Sequence, residues 1–334
     1  MLKKLDIYQF SETPRDIAIF TRLQDLLDVI QLNPEALNFK PLTISPDFPL
    51  KVPVAFVKRI KKGDPDDPLL KQILPVENET RRIESFLSDP VADLQHQVAP
   101  GLIHKYANRA LLIATGACSI HCRYCFRREY PYEGASISEH NLDAAIDYLQ
   151  YQKNIHEIIL SGGDPLTLSN RRLKKLLGKL ASIPHLKSLR IHSRQAIAMP
   201  ERIDHDLIDL LSTSRFSTCM VIHCNHANEI DQTVIKQLSL LQHAGIMLLN
   251  QSVLLKGVND NVQTLCNLSE KLYQAGVLPY YINVLDRVQG SAHFLVEDEE
   301  AINLINAMRE SLPGYLVPRL VKDIPGKKAK TILA

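Results

Sequence analysis

The chain has 334 residues, 45% of them hydrophobic, so it can bury one large core or two modest ones. Its 39 Lys and Arg residues nearly balance 37 Asp and Glu residues, and a net charge of +2 gives no global basic field for binding nucleic acid. The first residues lack the apolar stretch of a secretory signal, and no run approaches the roughly 18 apolar residues that span a bilayer. The composition therefore predicts a cytoplasmic protein that uses neither nucleic acid nor a membrane as a partner.

The N-terminal region, residues 1–95, carries helical patterns such as residues 16–30, interrupted by seven prolines between Pro34 and Pro68. Proline cannot donate a hydrogen bond to a neighbouring strand, so this density does not suit a regular sheet. We expect an irregular, helix-rich region that packs on the rest of the chain.

From Arg109 onward, apolar runs of strand length alternate with helical patterns. The predicted strands are 110–115, 156–161, 187–193, 217–224, 246–254 and 278–285. Most are rich in Val, Ile, Leu and Met, as strands buried on both faces of a parallel sheet should be. Six βα units are fewer than the eight of a closed barrel, so residues 96–314 are predicted to form an α/β fold, an open partial (β/α)6 barrel.

Polar residues follow the predicted strands, where the active site of such a fold is expected. They lie at 118–125, 161–164, 190–194, 223, 250–251 and 286. We expect these groups to converge on one mouth of the barrel.

Three cysteines follow the first of these strands with C-x3-C-x2-C spacing, at Cys118, Cys122 and Cys125. Three thiolates can hold three irons of a [4Fe-4S] cluster, which leaves the fourth iron able to bind a small molecule. A zinc site completed by His121 or His104, or reduced cysteines without a ligand, are the alternatives. Zinc sites usually pair two C-x2-C elements, and no second one is found here. The other three cysteines are scattered and are given no role.

Three further motifs are each ambiguous alone. The run from Ser161 to Pro165, with Gly162 and Gly163, is either an ordinary βα turn or a place where backbone approaches a ligand. Residues 104–109 form either a solvated basic patch or a site for a phosphate and a flat ring. The segment 315–334 ends either as a frayed basic terminus or as a flexible arm. A lysine on such an arm could form a Schiff base with pyridoxal phosphate (PLP).

The cysteine run, with Tyr124 before its last cysteine, resembles the radical S-adenosylmethionine (SAM) enzymes. The motifs together, over about residues 100–334, resemble the lysine 2,3-aminomutase family. They are the cysteines with Arg127, the preceding Lys-Tyr-x-x-Arg, Ser-Gly-Gly-Asp-Pro-Leu, the run 250–260, and Asp-x-Pro-Gly-x3-Lys ending at residue 330. The resemblance is greatest to the short bacterial type, which makes β-lysine for elongation factor P.

This resemblance implies a role for each matching residue. Cys118, Cys122 and Cys125 would hold the [4Fe-4S] cluster, and Lys330 would be the catalytic lysine that binds PLP. The other implied contacts are Lys105, Tyr106 and Arg109 for PLP; Gly162, Gly163, Asp164, His223 and Gln251 for SAM; and Arg127, Asp286 and Asp323 for the substrate. Lys105 departs from the family, which commonly has arginine there, and Asn261 stands where the longer catabolic members carry a cysteine.

The implied reaction is the conversion of L-α-lysine to β-lysine by radical migration of the 2-amino group to carbon 3. Its partners would be L-lysine, a reductant of flavodoxin or ferredoxin type, and a functional link to the elongation factor P β-lysine ligase. Two alternatives remain. The β-lysine could serve lysine catabolism or solute synthesis, or the chain could be a non-catalytic iron-sulfur protein.

Overall fold

The computed structural model describes residues 19–37, 40–42, 48–135 and 138–334. Its N-terminal layer consists of short elements: β1 (Ile19–Phe20), α1 (Leu23–Val29), β2 (Val52–Pro53), α2 (Val54–Val57) and α3 (Pro68–Lys71). Of the helical pattern predicted over 16–30, α1 covers the later part, residues 19–20 pair instead with β2, and residues 16–18 lie outside the described ranges.

The N-terminal layer has its own apolar core, which is shared with the rest of the chain. Leu26, Phe56 and Leu70 are buried there together with Ile120 and Ala198, which belong to the larger unit. Ile120 lies between two of the clustered cysteines, so this layer packs directly behind the cysteine loop.

The larger unit is built on one sheet of ten strands. In chain order these are β3 (Gln97–Ala99), β4 (Leu102–Tyr106), β5 (Arg109–Thr115), β6 (Glu157–Gly162), β7 (Ser188–Ser193), β8 (Ser217–His223), β9 (Met247–Val253), β10 (Leu278–Asn283), β11 (Arg319–Lys322) and β12 (Thr331–Ile332). Spatial order follows chain order, and β5 through β11 are parallel, whereas β3, β4 and β12 are antiparallel to their neighbours.

All six predicted strands are present, each within two residues of the expected bounds. The open partial barrel is confirmed, because no pairing joins β3 to β12 among the described residues. A seventh parallel strand, β11, extends it.

Helices lie between the strands: α4 (Tyr132–Ala135), α5 (Glu139–Tyr151), α6 (Asn170–Ala181), α7 (Gln195–Ala198), α8 (His205–Ser212), α9 (Gln232–His243), α10 (Val262–Gln274) and α11 (Asp298–Ser311). Four of the longer ones begin at a side chain that accepts a backbone N–H of the first turn: Ser138, Ser169, Asp231 and Asn261. Asn261 therefore caps α10. None of the helices in the described ranges is long and apolar enough to cross a bilayer.

Side chains alternate between the two faces of each strand. Leu189 and Ile191 on β7, and Met220 and Ile222 on β8, are buried in the core under the helices. The intervening positions, among them His192 on β7, therefore face the interior of the barrel, which we call the lumen.

The C-terminal segment is part of the sheet, which corrects the expectation of a flexible arm. After β11 the chain turns at Gly326, whose φ is +80°, and returns as β12. The backbone N–H of Leu333 donates to Leu320 at 2.9 Å, and that of Leu320 donates to Ala334 at 3.0 Å. Lys330, directly before β12, is consequently held at one place.

The turn after β6 packs tightly on the start of the cysteine loop. Gly163 donates its N–H to Thr115 at 2.7 Å, and a Cβ at Gly163 would lie 2.7 Å from the carbonyl carbon of Gly116. Real Cβ atoms do not approach backbone so closely, so the sequence needs glycine here.

Replacing Gly163 with alanine is expected to destabilise the fold by about 1–3 kcal/mol, because backbone would have to move. The measurement is the free energy of unfolding in urea. Gly178→Ala is the matched control, since a Cβ there meets nothing within 4 Å and α6 should gain about 0.5–1 kcal/mol. Equal stability of the two variants would contradict the packing described here.

Candidate active site

The cysteine loop follows β5 and is held by backbone contacts to the N-terminal layer. His121 N–H donates to Lys51 at 2.9 Å, and Arg123 N–H donates to Gln72 at 2.9 Å. The three thiols, Cys118, Cys122 and Cys125, are free and half-buried. The loop is therefore shaped by contacts outside the cysteines themselves.

Burial raises the pKa of all three thiols, that of Cys125 to about 11. For Cys118, the negative charges of Asp164 and the other two cysteines add to the effect. Burial disfavours the thiolate form of each cysteine as long as no cation is present. A cationic iron centre would compensate the thiolate charges, so these neighbouring cysteines suit one. In the described ranges, no group of three or more His, Cys, Asp or Glu side chains could hold a single metal ion. Thiolates of a four-iron cluster each bind a different iron, so their spacing differs from that of a mononuclear site.

Buried ionic contacts anchor the loop from behind. The fully buried Arg123 donates through Nε to Glu79 at 2.8 Å and through Nη2 at 2.5 Å, and Arg128 donates to the same carboxylate at 2.8 Å. Both guanidinium groups lie 4.8 Å from the ring centre of Phe48. Sequence reasoning did not single out Glu79, because it lies about forty residues before the motif it supports.

The aromatic residue of the motif contacts a residue implied for SAM. Tyr124 OH lies 3.0 Å from His223 Nε2, and the two rings stack with centres 5.6 Å apart. Asn225 donates its amide to Tyr124 OH at 2.7 Å. Burial, with Arg194 nearby, holds the pKa of His223 well below its usual range, so its imidazole is neutral.

The hydrogen-bond partners of Asp164 are groups of the protein that hold the local backbone in place. Its carboxylate accepts from Ser193 Oγ at 2.9 Å and from the backbone N–H groups of Leu166, Arg194 and Gln195 at 2.7 to 3.0 Å. These bonds tie the β6 turn to the end of β7. Asp164 thus positions Gly162 and Gly163, while its implied contact with SAM stays a prediction.

Lys330 reaches into the lumen from the strand edge. Its Nζ donates to Asn283 Oδ1 at 3.1 Å and lies 3.5 Å from Asp323 Oδ2. Its charge also acts on Asp286 and on His192. The side-chain amine of Lys330 therefore lies among residues from β7, β10 and the loop after β10.

A carboxylate that sequence reasoning missed holds two predicted ligand-binding residues together. Asp93, 2% exposed, lies 2.6 Å from Lys105 Nζ and 2.7 Å from Arg127 Nε. Arg127 also donates through Nη1 to Ser161 at 3.0 Å, and Lys105 donates to the carbonyl of Val91 at 2.6 Å. Burial raises the pKa of Asp93, but the two cations outweigh it and the net pKa is lowered. Asp93 carries no motif, so only its position in space identifies it.

The remaining predicted residues lie beside this group. Tyr106 OH donates to Asp323 at 3.4 Å, and the guanidinium of Arg109 lies 4.4 Å from the centre of the Tyr106 ring. Burial raises the pKa of Asp286 to about 6, although the charge of Lys330 lowers it in part. The Lys330 amine thus forms an ion pair with Asp323 and acts through its charge on Asp286.

The cysteine loop and the Lys330 segment both contribute residues to the inside of the barrel. Arg127, two residues beyond Cys125, and Lys330 both act electrostatically on His192. Gln251 reaches the same imidazole, with Nε2 3.5 Å from His192 Nδ1. The separate sequence motifs therefore surround one lumen.

The chain is similar to several known proteins. Residues 112–268 match the Radical SAM superfamily. The chain is 44% identical to the L-lysine 2,3-aminomutase of Escherichia coli over 94% of this chain and 92% of that protein. It is 37% identical to that of Clostridium subterminale over 83% of this chain and 66% of that protein. A solved structure, a radical SAM methyltransferase from Sphaerobacter thermophilus, is similar with a TM-score of 0.48 and 13% identity, covering 66% of this chain and 68% of that one.

The cysteine run thus lies inside the matched domain. With this identity across nearly the full length of the Escherichia coli relative, the chain belongs to the L-lysine 2,3-aminomutase family of radical SAM isomerases.

Proposed function

We propose that the chain converts L-α-lysine to β-lysine with a [4Fe-4S] cluster, SAM and PLP. The observation that carries the proposal is the position of the Lys330 amine, 3.1 Å from Asn283 inside the lumen that Arg127 also enters from the cysteine loop. A PLP-binding lysine and a cluster can act on one substrate only if they face one cavity.

The hydrogen on carbon 3 of lysine is not acidic, so side chains alone cannot move the amino group. When bound, the cluster with SAM supplies a hydrogen-abstracting radical, and PLP supplies an electron-delocalising ring. Cys118, Cys122 and Cys125 would hold the cluster, and Lys330 would hold PLP. What the rest of the chain contributes is orientation and exclusion of water from the lumen.

Arg127 is oriented to bind the substrate carboxylate. Its guanidinium is fixed by Asp93 and by Ser161, and the Asp93 carboxylate keeps the pKa of Arg127 raised despite burial. A fixed, permanently charged guanidinium suits a planar carboxylate.

Asp286 and Asp323 suit the ammonium group at the other end of the substrate. In the structure they share the charge of Lys330, which is the same chemical group as the side chain of free lysine. Once Lys330 binds PLP, a substrate ammonium would replace the lost cation. Arg127 and this carboxylate pair would then bind the two oppositely charged ends of a diamino acid.

We further propose that the product is ligated to elongation factor P, that the reductant is of flavodoxin or ferredoxin type, and that the enzyme works in the cytoplasm. Support for the first comes from the likeness to the short bacterial type and from the higher identity to the Escherichia coli relative, 44% against 37% for the Clostridium one.

Anaerobic incubation of the reconstituted protein with lysine, SAM, PLP and dithionite is expected to yield β-lysine, measured by chromatography. Lys330→Ala should abolish both the product and the visible absorbance band of lysine-bound PLP. Lys328→Ala is the control, since Lys328 is exposed two residues away and should keep both. A band that survives in Lys330→Ala would show that another lysine binds PLP.

The KM for lysine is expected to rise as the pH falls and Asp286 takes up a proton, approaching tenfold per pH unit. Asp286 binds an ammonium only as an anion. Its pKa is raised to about 6 even beside the charge of Lys330, and it rises further when PLP removes that charge, so protonation begins well above the usual value near 4. Initial rates at fixed SAM and PLP between pH 5 and 8 measure this. Asp286→Asn should show a high KM that no longer changes over this range; a wild-type KM that is flat from pH 5 to 8 would refute the assignment.

Deletion of the gene is expected to remove the β-lysyl group from elongation factor P, because no β-lysine would be available to its ligase. Intact-mass spectrometry of the purified factor measures the loss. Complementation with the wild-type gene should restore the mass, and the Lys330→Ala gene should not. An unchanged adduct in the deletion strain would reject this use of the product while leaving the chemistry intact.

A further inference from the structure

The imidazole of His192 has an atom that its surroundings leave unmatched. His192 lies on β7 and faces the lumen, and its Nε2 is shielded from solvent without a hydrogen-bond partner among the described residues. A buried polar atom without a partner is costly, so native proteins usually pair it with protein, water or a ligand.

The groups that face this ring are mostly cations. Arg190 on the same strand, Arg127 after the cysteines, and Lys330 from the C-terminal segment all act on it, and the neutral His223 of β8 lies within electrostatic range. Burial and these cations keep the imidazole neutral. Each of these cations has a carboxylate partner: Glu157 lies 2.7 Å from Arg190, Asp93 lies 2.7 Å from Arg127, and Asp323 lies 3.5 Å from Lys330. The charges that act on the ring itself are nonetheless the three cations, so an oxygen with negative charge suits the space beside Nε2.

The second ring nitrogen indicates which hydrogen His192 carries. Gln251 Nε2 lies 3.5 Å from Nδ1, and because an amide nitrogen can only donate, Nδ1 accepts in this orientation of the amide. In a neutral imidazole the hydrogen is then on Nε2. The unmatched atom is a donor that faces the lumen, within range of these three cations.

We propose that His192 binds an anionic oxygen of the ligand through Nε2–H, with Gln251 holding the required tautomer. This rests on the proposed function, in which two ligands bring such oxygens: PLP, through its phosphate or ring oxygen, and lysine, through its carboxylate. Gln251 would thus be a positioning residue whose effect passes through His192.

The matched variants are His192→Gln and His192→Asn. The Gln amide nitrogen can reach the place of Nε2, whereas the Asn amide nitrogen reaches only the place of Nδ1. His192→Gln therefore keeps a donor at the Nε2 position, and His192→Asn loses it. PLP affinity is measured by titrating the absorbance band in reconstituted protein without reductant. Lysine affinity is measured by the shift of that band on adding lysine, again without turnover.

His192→Asn is expected to raise one dissociation constant by about tenfold to a hundredfold, the usual effect of losing a hydrogen bond to a charged group, and His192→Gln by far less. A change in the PLP constant alone assigns the oxygen to PLP, and a change in the lysine constant alone assigns it to the substrate. Equal affinities in both variants and the wild type, or equal losses in both variants, would overturn the proposal.

Melting temperatures of both variants show whether the fold is kept. Should His192→Asn fail to fold, His192→Phe, which keeps the ring shape without a donor, takes its place with the same expected loss. If the wild type itself does not bind PLP, the proposed function is rejected. If the wild type binds PLP and lysine and the variants do so equally well, only the role of His192 is rejected.

Discussion

The buried ion cluster of Asp93, Lys105 and Arg127 is the contact on which the site depends. One carboxylate neutralises two cations, 2.6 and 2.7 Å away, at a place with almost no solvent. Removing one member of such a group leaves uncompensated charge and costs about 3–5 kcal/mol. Asp93 comes from the segment before β3, Lys105 from β4, and Arg127 from the loop after the cysteines. The cluster therefore connects the chain segments that precede the barrel to the cysteine loop.

A second constraint acts at the other edge of the sheet. β11 adds a seventh parallel strand, and β12 returns antiparallel to it, so the chain reaches the lumen from the open side of the barrel. The turn at Gly326 and the pairing of Leu320 with the last residues hold Lys330 in place. Because the barrel is open at the edge formed by β11 and β12, the side chain of Lys330 can enter the lumen there.

Several charges act on one another across the lumen. The charges of Arg127, Arg190 and Lys330 act on His192, and the carboxylates of Asp286 and Asp323 interact with Lys330. In a partly dry cavity such charges act more strongly than in water. A ligand that carries both an anionic and a cationic group therefore meets charges of both signs in this cavity.

The sequence alone determined the repeating βα pattern, the open barrel, the cysteine triad and the lysine at residue 330. These depend on local periodicity and on spaced motifs, which are readable along the chain. Only the tertiary structure revealed the ion pairs of Glu79 and Asp93 and the unpartnered nitrogen of His192, since their neighbours are far away in the chain. It also decided that the C-terminal segment is a paired strand and that Asp164 is occupied by backbone donors. Strand pairing and buried charge neutralisation join residues distant in sequence, so no local pattern records them.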